Sequence, residues 1–130
     1  IALGIGPAAG ALQRLPKLVP YNIAVEMFLL GRRLTSYEAL NFGLVNKVVP
    51  YDDLIESARE WAEKISNSAP LAIQSIKEVL RNTDGKSVKN KFDIIRNGEL
   101  ETYNKMLKSE DASEGVKAWV EKRQPIFRGK

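Results

Sequence analysis

The sequence of 130 residues contains no cysteine and no histidine. A chain without these residues cannot form a disulfide, use a thiol nucleophile, build a Ser/His/Asp triad or assemble one of the usual zinc sites. Proton transfer within this segment would therefore fall to Asp, Glu, Lys or Tyr. We expect no metal site here.

Long apolar runs are also missing, since none approaches the roughly 18 residues that a membrane-spanning helix needs. No basic stretch precedes the first apolar residues, so nothing resembles a signal peptide. We therefore expect no membrane partner and a cytoplasmic location. The chain starts with Ile1 rather than Met, and its opening residues lack a helix or strand start signal. This favours a piece of a longer protein.

The composition is typical of a folded globular protein, with 44% hydrophobic and 28% charged residues. The formal net charge is +4. Such a mild excess fits ordinary solubility or a surface for an anionic partner, and both interpretations stay open. Basic and acidic residues are interspersed without an RNA- or DNA-binding signature, so we expect no nucleic-acid partner.

The first fifty residues predict three short helices and one β-rich segment. A capping-box pattern, Thr35 with Glu38 three residues later, opens the third helix. The β-rich residues 44–49 end at Pro50 and predict a short strand or extended link. The expected helices are a turn and short helix over residues 7–14, a helix over residues 21–30 that Gly31 stops, and a short helix that Gly43 closes.

Apolar residues at helical spacing dominate the remaining chain. Asn97-Gly98 is a competing turn signal, but its flanks are helix-periodic, so we predict an unbroken helix there. The expected helices have apolar positions from Leu54 to Ile65 and from Ala72 to Leu80, then run from about Ser87 to Lys108 and from Ser109 to Val120, before a tail leaves the last one. The predicted fold class is mostly α, with about six helices and one short strand.

Three stretches, in order and with matching spacing, resemble the enoyl-CoA hydratase/isomerase (crotonase) family. They are similar to its L-G-x-x-P-x-x-G-G-x-x-R-L-P segment, its T-G-x-x-x-x-A-x-E-A-x-x-x-G-L-V-x-x-V-V stretch and its S-E-D-x-x-E-G-x-x-A-F-x-E-K-R-x-P ending. The matching residues are Leu3-Gly4-Ile5-Gly6-Pro7-Ala8-Ala9-Gly10-Ala11-Leu12-Gln13-Arg14-Leu15-Pro16, Gly31-Arg32 through Val49-Pro50, and Ser109-Glu110-Asp111-Ala112-Ser113-Glu114-Gly115 through Pro125. One departure is Ala11, where the family often has a second glycine.

The resemblance implies the C-terminal part of such an enzyme. Residues 1–50 would be the end of the crotonase-like core, and residues 51–130 a helical trimerisation region. The parent reaction would be addition or elimination of water, or a double-bond shift, on an acyl-CoA thioester through a stabilised enolate. Hydratases of the family carry two catalytic glutamates, one in a Pro-Glu pair just before the segment that matches Ile1. We therefore expect no catalytic side chain in this chain and no activity from it alone.

The resemblance also implies candidate binding residues. The backbone N–H of Ala8, at the entry to a helix, would help to position the catalytic carboxylate or its water. Trp119, Lys122 and Arg123 match positions that contact the adenosine or phosphates of CoA, often from a neighbouring subunit. An aromatic face can stack on adenine and a cation can meet the 3′-phosphate. Alternatively, Trp119 anchors the last helix in a core and Lys122 complements its C-terminal dipole.

Two function hypotheses follow from the resemblance. The first is the hydratase/isomerase, with an acyl-CoA substrate, no cofactor beyond the CoA that the substrate carries, and a homo-oligomer, either trimer or hexamer. Within it, Arg32-Arg33 after Gly31 and the acidic ending favour the carnitinyl-CoA dehydratase branch. The second is a non-catalytic helical oligomerisation module. A Pro-Glu pair encoded upstream of Ile1 supports the enzyme, and a natural start codon there supports the module.

Overall fold

A computed structural model describes residues 3–130, so the predicted match at Ile1 and Ala2 lies outside the described residues. Two compact units divide the chain, one ending at Leu54 and the other spanning Ile55–Lys130. The helices are α1 (Ala11–Arg14), α2 (Tyr21–Leu30), α3 (Ser36–Asn41), α4 (Leu54–Ser66), α5 (Pro70–Thr83), α6 (Val88–Arg96), α7 (Glu101–Leu107) and α8 (Glu110–Val120), with 3₁₀ turns at Leu15–Lys17 and Tyr51–Asp53. The predicted mostly α class is confirmed.

The predicted short strand at residues 44–49 is wrong. Residues 3–130 contain no strand, so this segment has no neighbour with which to form a ladder. Its first two N–H groups instead bond to the carbonyl of Ala39, Leu44 at 2.8 Å and Val45 at 3.3 Å. The residues that follow, up to Pro50, form a link after α3 without regular secondary structure.

The predicted long helix over residues 87–108 is also wrong, because it divides into α6 and α7 at Gly98. Gly98 has φ +71°, a conformation that glycine adopts without a side-chain clash. Its N–H bonds to the carbonyl of Ile95, and the N–H of Glu99 bonds to the carbonyl of Ile94, both at 3.2 Å. These two bonds form a Schellman motif, which satisfies carbonyls at the end of α6 and stops the helix.

In the first unit, the predicted capping box opens α3. The Glu38 N–H donates to the Thr35 hydroxyl at 3.2 Å, and the Thr35 N–H donates to the Glu38 carboxylate at 2.8 Å. Arg32 joins this cap to α2, since it donates to Glu38 at 2.6 Å and to Glu26 at 2.7 Å. The backbone and hydroxyl of Thr35, then Arg32, lower the pKa of Glu38 to about 2.

In the second unit, α5 packs mainly on α7. The α5 residue Glu78 accepts hydrogen bonds from the N–H groups of Thr102 at 3.1 Å and Tyr103 at 2.8 Å. It therefore caps α7 from a position 24 residues earlier in the chain. Burial raises the pKa of Glu78, but the hydrogen bonds from Thr102 and Tyr103 outweigh it and hold that pKa below its usual value.

The apolar faces of α4 and α5 are only partly covered. No residue of α4 is buried, and the predicted inward positions Ile76 and Leu80 of α5 are 55% and 67% exposed. Buried apolar residues of this unit are few, and they lie at the start of α5, just before α7 and on α8. They are Leu71, Leu100 and Ala118.

Candidate functional site

Ala8 lies in an exposed turn rather than at the first residues of a helix. The helix α1 begins three residues later at Ala11, whose N–H bonds to the Ala8 carbonyl at 3.2 Å. Between them, Ala9 and Gly10 both have left-handed backbones, with φ +55° and +84°. Since Ala11 is itself helical, the second glycine of the family is not required by the backbone at that position.

Arg14 stabilises this turn in a way that the sequence did not indicate. Its guanidinium donates to the carbonyl of Ala9. A side chain at Gly10 would bring a Cβ within 3.0 Å of the Arg14 Cζ atom, so the guanidinium covers the turn. In the structure it fixes the local backbone around Ala8.

The other three candidate residues lie together at the C-terminal end of α8, in the second unit. Trp119 is 81% exposed, so it does not anchor α8 in a core of this chain. Val116 and Val120, three residues before and one after it, are also exposed. The end of α8 therefore presents an aromatic ring and two aliphatic side chains at its surface.

Lys122 follows α8 in a left-handed conformation, with φ +53°. Its N–H bonds to the carbonyl of Trp119 at 3.2 Å, and the N–H of Arg123 bonds to the carbonyl of Ala118 at 3.0 Å. This is a Schellman motif with lysine at the position where glycine is usual. Lys122 is exposed, and within residues 3–130 its ammonium group has no ion pair.

Arg123 is bound within the chain through its Nε and both of its terminal nitrogens. It donates to the two carboxylate oxygens of Glu114 at 2.6 and 2.9 Å, and its Nε–H donates to Glu121 at 2.6 Å. Glu114 also accepts the N–H of Ile126 at 2.9 Å. Arg123 first, and then the Ile126 N–H, lower the pKa of Glu114 to about 2, while both carboxylates raise the pKa of Arg123.

The C-terminal tail folds back along α8 instead of leaving it as predicted. Asp111 is only 3% exposed and accepts the N–H groups of Arg128 at 2.7 Å and Gly129 at 2.8 Å. Its own N–H donates to the Lys130 carbonyl at 3.2 Å. The carboxylates of Asp111 and Glu114 therefore hold the tail.

Neither a metal centre nor a membrane span is built from the residues that the structure describes. Among residues 3–130, no three acidic side chains lie close enough together to share a metal ion. No described helix is both long and apolar enough to cross a membrane.

Comparison with known proteins identifies the family. The profile of the enoyl-CoA hydratase/isomerase family matches residues 1–130, so the chain belongs to that family. It is 48% identical over 128 residues to a carnitinyl-CoA dehydratase of Salmonella typhimurium, covering 98% of this chain and 49% of that protein. The chain therefore spans about half the length of the curated relatives it matches.

Solved structures agree with this assignment. The enoyl-CoA hydratase of Bacillus anthracis superposes with a TM-score of 0.89 at 36% identity, over 99% of this chain and 48% of its own. An enoyl-CoA hydratase of Geobacillus kaustophilus superposes with a TM-score of 0.87 at 39% identity, over 99% and 47%. The chain therefore has the fold of the corresponding half of these hydratases.

Proposed function

We propose that the protein carrying this segment acts on acyl-CoA thioesters, adding or eliminating water or shifting a double bond through a stabilised enolate. The observation that carries the proposal is the match to the family along the entire chain. An enolate of this kind needs N–H donors aimed at its oxygen and a carboxylate that moves a proton or holds water. We propose that the reaction uses no cofactor other than the CoA of the substrate.

Within that reaction, this chain would contribute binding rather than proton transfer. Trp119 would stack on the adenine of CoA, and the ammonium group of Lys122 would meet its 3′-phosphate. Exposure of both side chains supports this assignment, since neither is committed to a partner within its own unit. The backbone N–H of Ala8 would help to orient the catalytic carboxylate or its water, with Arg14 holding the turn.

The finer proposal is that the protein eliminates water from carnitinyl-CoA, as a carnitinyl-CoA dehydratase does. The 48% identity to enzymes of that name supports it. The test compares turnover of carnitinyl-CoA and crotonyl-CoA by the full-length protein, followed by liquid chromatography of the CoA esters. A higher kcat/KM for carnitinyl-CoA is expected. Preference for crotonyl-CoA would overturn the finer proposal, and no turnover of either ester would overturn the broader one.

A second candidate is a non-catalytic helical module that assembles into a trimer or hexamer. The exposed apolar residues of α4, α5 and α8 favour it, because contiguous apolar surface usually marks an interface. Sedimentation of the full-length protein, together with its turnover, separates the two functions. A trimer or hexamer that turns over no acyl-CoA supports the module, and a monomer excludes it.

A further inference from the structure

The backbone at Lys122 is unusual within this chain. The helices α3 and α6 also end in Schellman motifs, and both place glycine in the left-handed position, Gly43 with φ +76° and Gly98 with φ +71°. At the end of α8 the same position holds Lys122. A side chain is disfavoured in that conformation because its Cβ crowds the backbone. Strain of this kind persists where the surrounding structure holds it, and strained residues cluster at functional sites.

The surroundings of Lys122 do hold it. Glu121 and Arg123, the residues on either side, are joined by a 2.6 Å ion pair that spans the strained residue. Arg123 is in turn fixed to Glu114, two turns earlier on α8, through two parallel hydrogen bonds. Such a planar, bidentate pair restricts orientation more than a single contact does.

We infer that Glu114, Glu121 and Arg123 are positioning residues, which hold Lys122 in its left-handed turn so that its exposed ammonium group can bind the 3′-phosphate of an acyl-CoA. Arg123 is assigned the positioning role because its Nε and both terminal nitrogens already donate to carboxylates. This inference rests on the proposed function, since it names the residues that prepare the nucleotide end of that site.

The test measures the Kd of CoA and of dephospho-CoA by calorimetry, and kcat and KM for an acyl-CoA, all with the full-length protein. Lys122→Ala should weaken CoA binding about fivefold, as expected for a solvent-exposed ion pair at the upper end of its range. The Kd of dephospho-CoA and kcat should not change, because the lost contact is remote from the reacting carbons.

Glu114→Gln should weaken CoA binding in the same way, and the double variant Glu114→Gln/Lys122→Ala should bind no more weakly than Lys122→Ala alone. Arg123→Lys keeps the charge but not the bidentate geometry, so it should behave like Glu114→Gln. The matched control is Glu110→Gln on the same helix, because the contact of Glu110 with Lys130 is long, at 3.7 Å, and exposed. Effects of Glu114→Gln and Lys122→Ala that multiply would overturn the inference.

Lys122→Gly keeps the inference testable if the Glu114 variant unfolds. Glycine relieves the backbone, so this variant should melt at a higher temperature and lose the preference for CoA over dephospho-CoA. A lower melting temperature would show that the lysine serves the fold, and the positioning role would be wrong. The wild-type protein could bind CoA more tightly than dephospho-CoA, lose that preference when Lys122 is replaced, and yet turn over no ester. That result would contradict the proposed function alone. A wild-type protein that does not bind CoA contradicts both.

Discussion

Asp111 should be the side chain on which attachment of the C-terminal tail depends most. It is almost fully buried, and its two carboxylate oxygens each accept one tail N–H at a short distance, from Arg128 and Gly129. A hydrogen bond to a charged acceptor contributes about 1.5–3 kcal/mol. Because the released amides can bond to water, we expect Asp111→Ala to lower the free energy of unfolding by about 2–4 kcal/mol.

Urea denaturation of the chain, followed by far-UV circular dichroism, measures this loss. Hydrogen exchange at the Arg128 and Gly129 amides provides a local measurement, and a loss of about 2 kcal/mol corresponds to roughly 30-fold faster exchange. Asp111→Asn should fall between wild type and Asp111→Ala, since the amide keeps one acceptor oxygen. Both amides should exchange faster than in wild type in each variant.

The control for this prediction is Glu110→Ala, one residue earlier on α8. The carboxylate of Glu110 is 70% exposed and lies 3.7 Å from the Lys130 ammonium group, so its removal should change stability by less than about 0.5 kcal/mol. If Asp111→Ala were as stable as Glu110→Ala and its tail amides exchanged at the wild-type rate, the tail would not be held by this carboxylate.

Further outcomes are expected for stability, assembly and activity. Thr35→Ala should lower the free energy of unfolding by about 1 kcal/mol in urea titrations, because it removes the cap of α3. The folded-state pKa of Glu38 is lowered from 4.5 to about 2, so its contribution is complete above pH 4.5 and declines as the pH falls toward 2; Glu38→Gln should flatten the stability profile in that window. The isolated chain should be mostly helical and self-associate in sedimentation at tens of micromolar. It should not hydrate crotonyl-CoA, and turnover that survives a second purification would contradict this. In the full-length protein, Trp119→Ala should raise KM in steady-state assays with little change in kcat.

The features that the sequence predicted best are those that depend on residues close together along the chain. The Thr35–Glu38 capping box, and the start of α8 at Ser109, follow from side chains that reach backbone groups three residues away. At Asn97-Gly98 the sequence carries a turn signal, whereas the helical period on both sides predicts an unbroken helix. The left-handed glycine ended the helix, which shows that a local backbone preference can override apolar periodicity.

Features that depend on distant residues were not predictable in this way. Glu78 caps α7 across 24 residues, and Asp111 binds the tail across 17, so nothing in the sequence near either carboxylate identifies its partner. The segment at residues 44–49 shows the opposite case, in which a strand-like composition has no strand to pair with among the described residues. A β-rich composition favours an extended backbone, whereas a strand forms only where another strand lies beside it.

The same distinction applies to the apolar face of α4. Its spacing predicts a buried stripe, yet Ile55, Trp61 and Ile65 are 67%, 44% and 54% exposed in this chain. Periodicity specifies which side of a helix is apolar but not what covers that side. Single exposed apolar residues are normal, but a continuous apolar stripe usually marks an interface. The surface that covers the stripe of α4 should therefore come from outside the second unit's own core. Self-association of the chain would be the direct physical consequence.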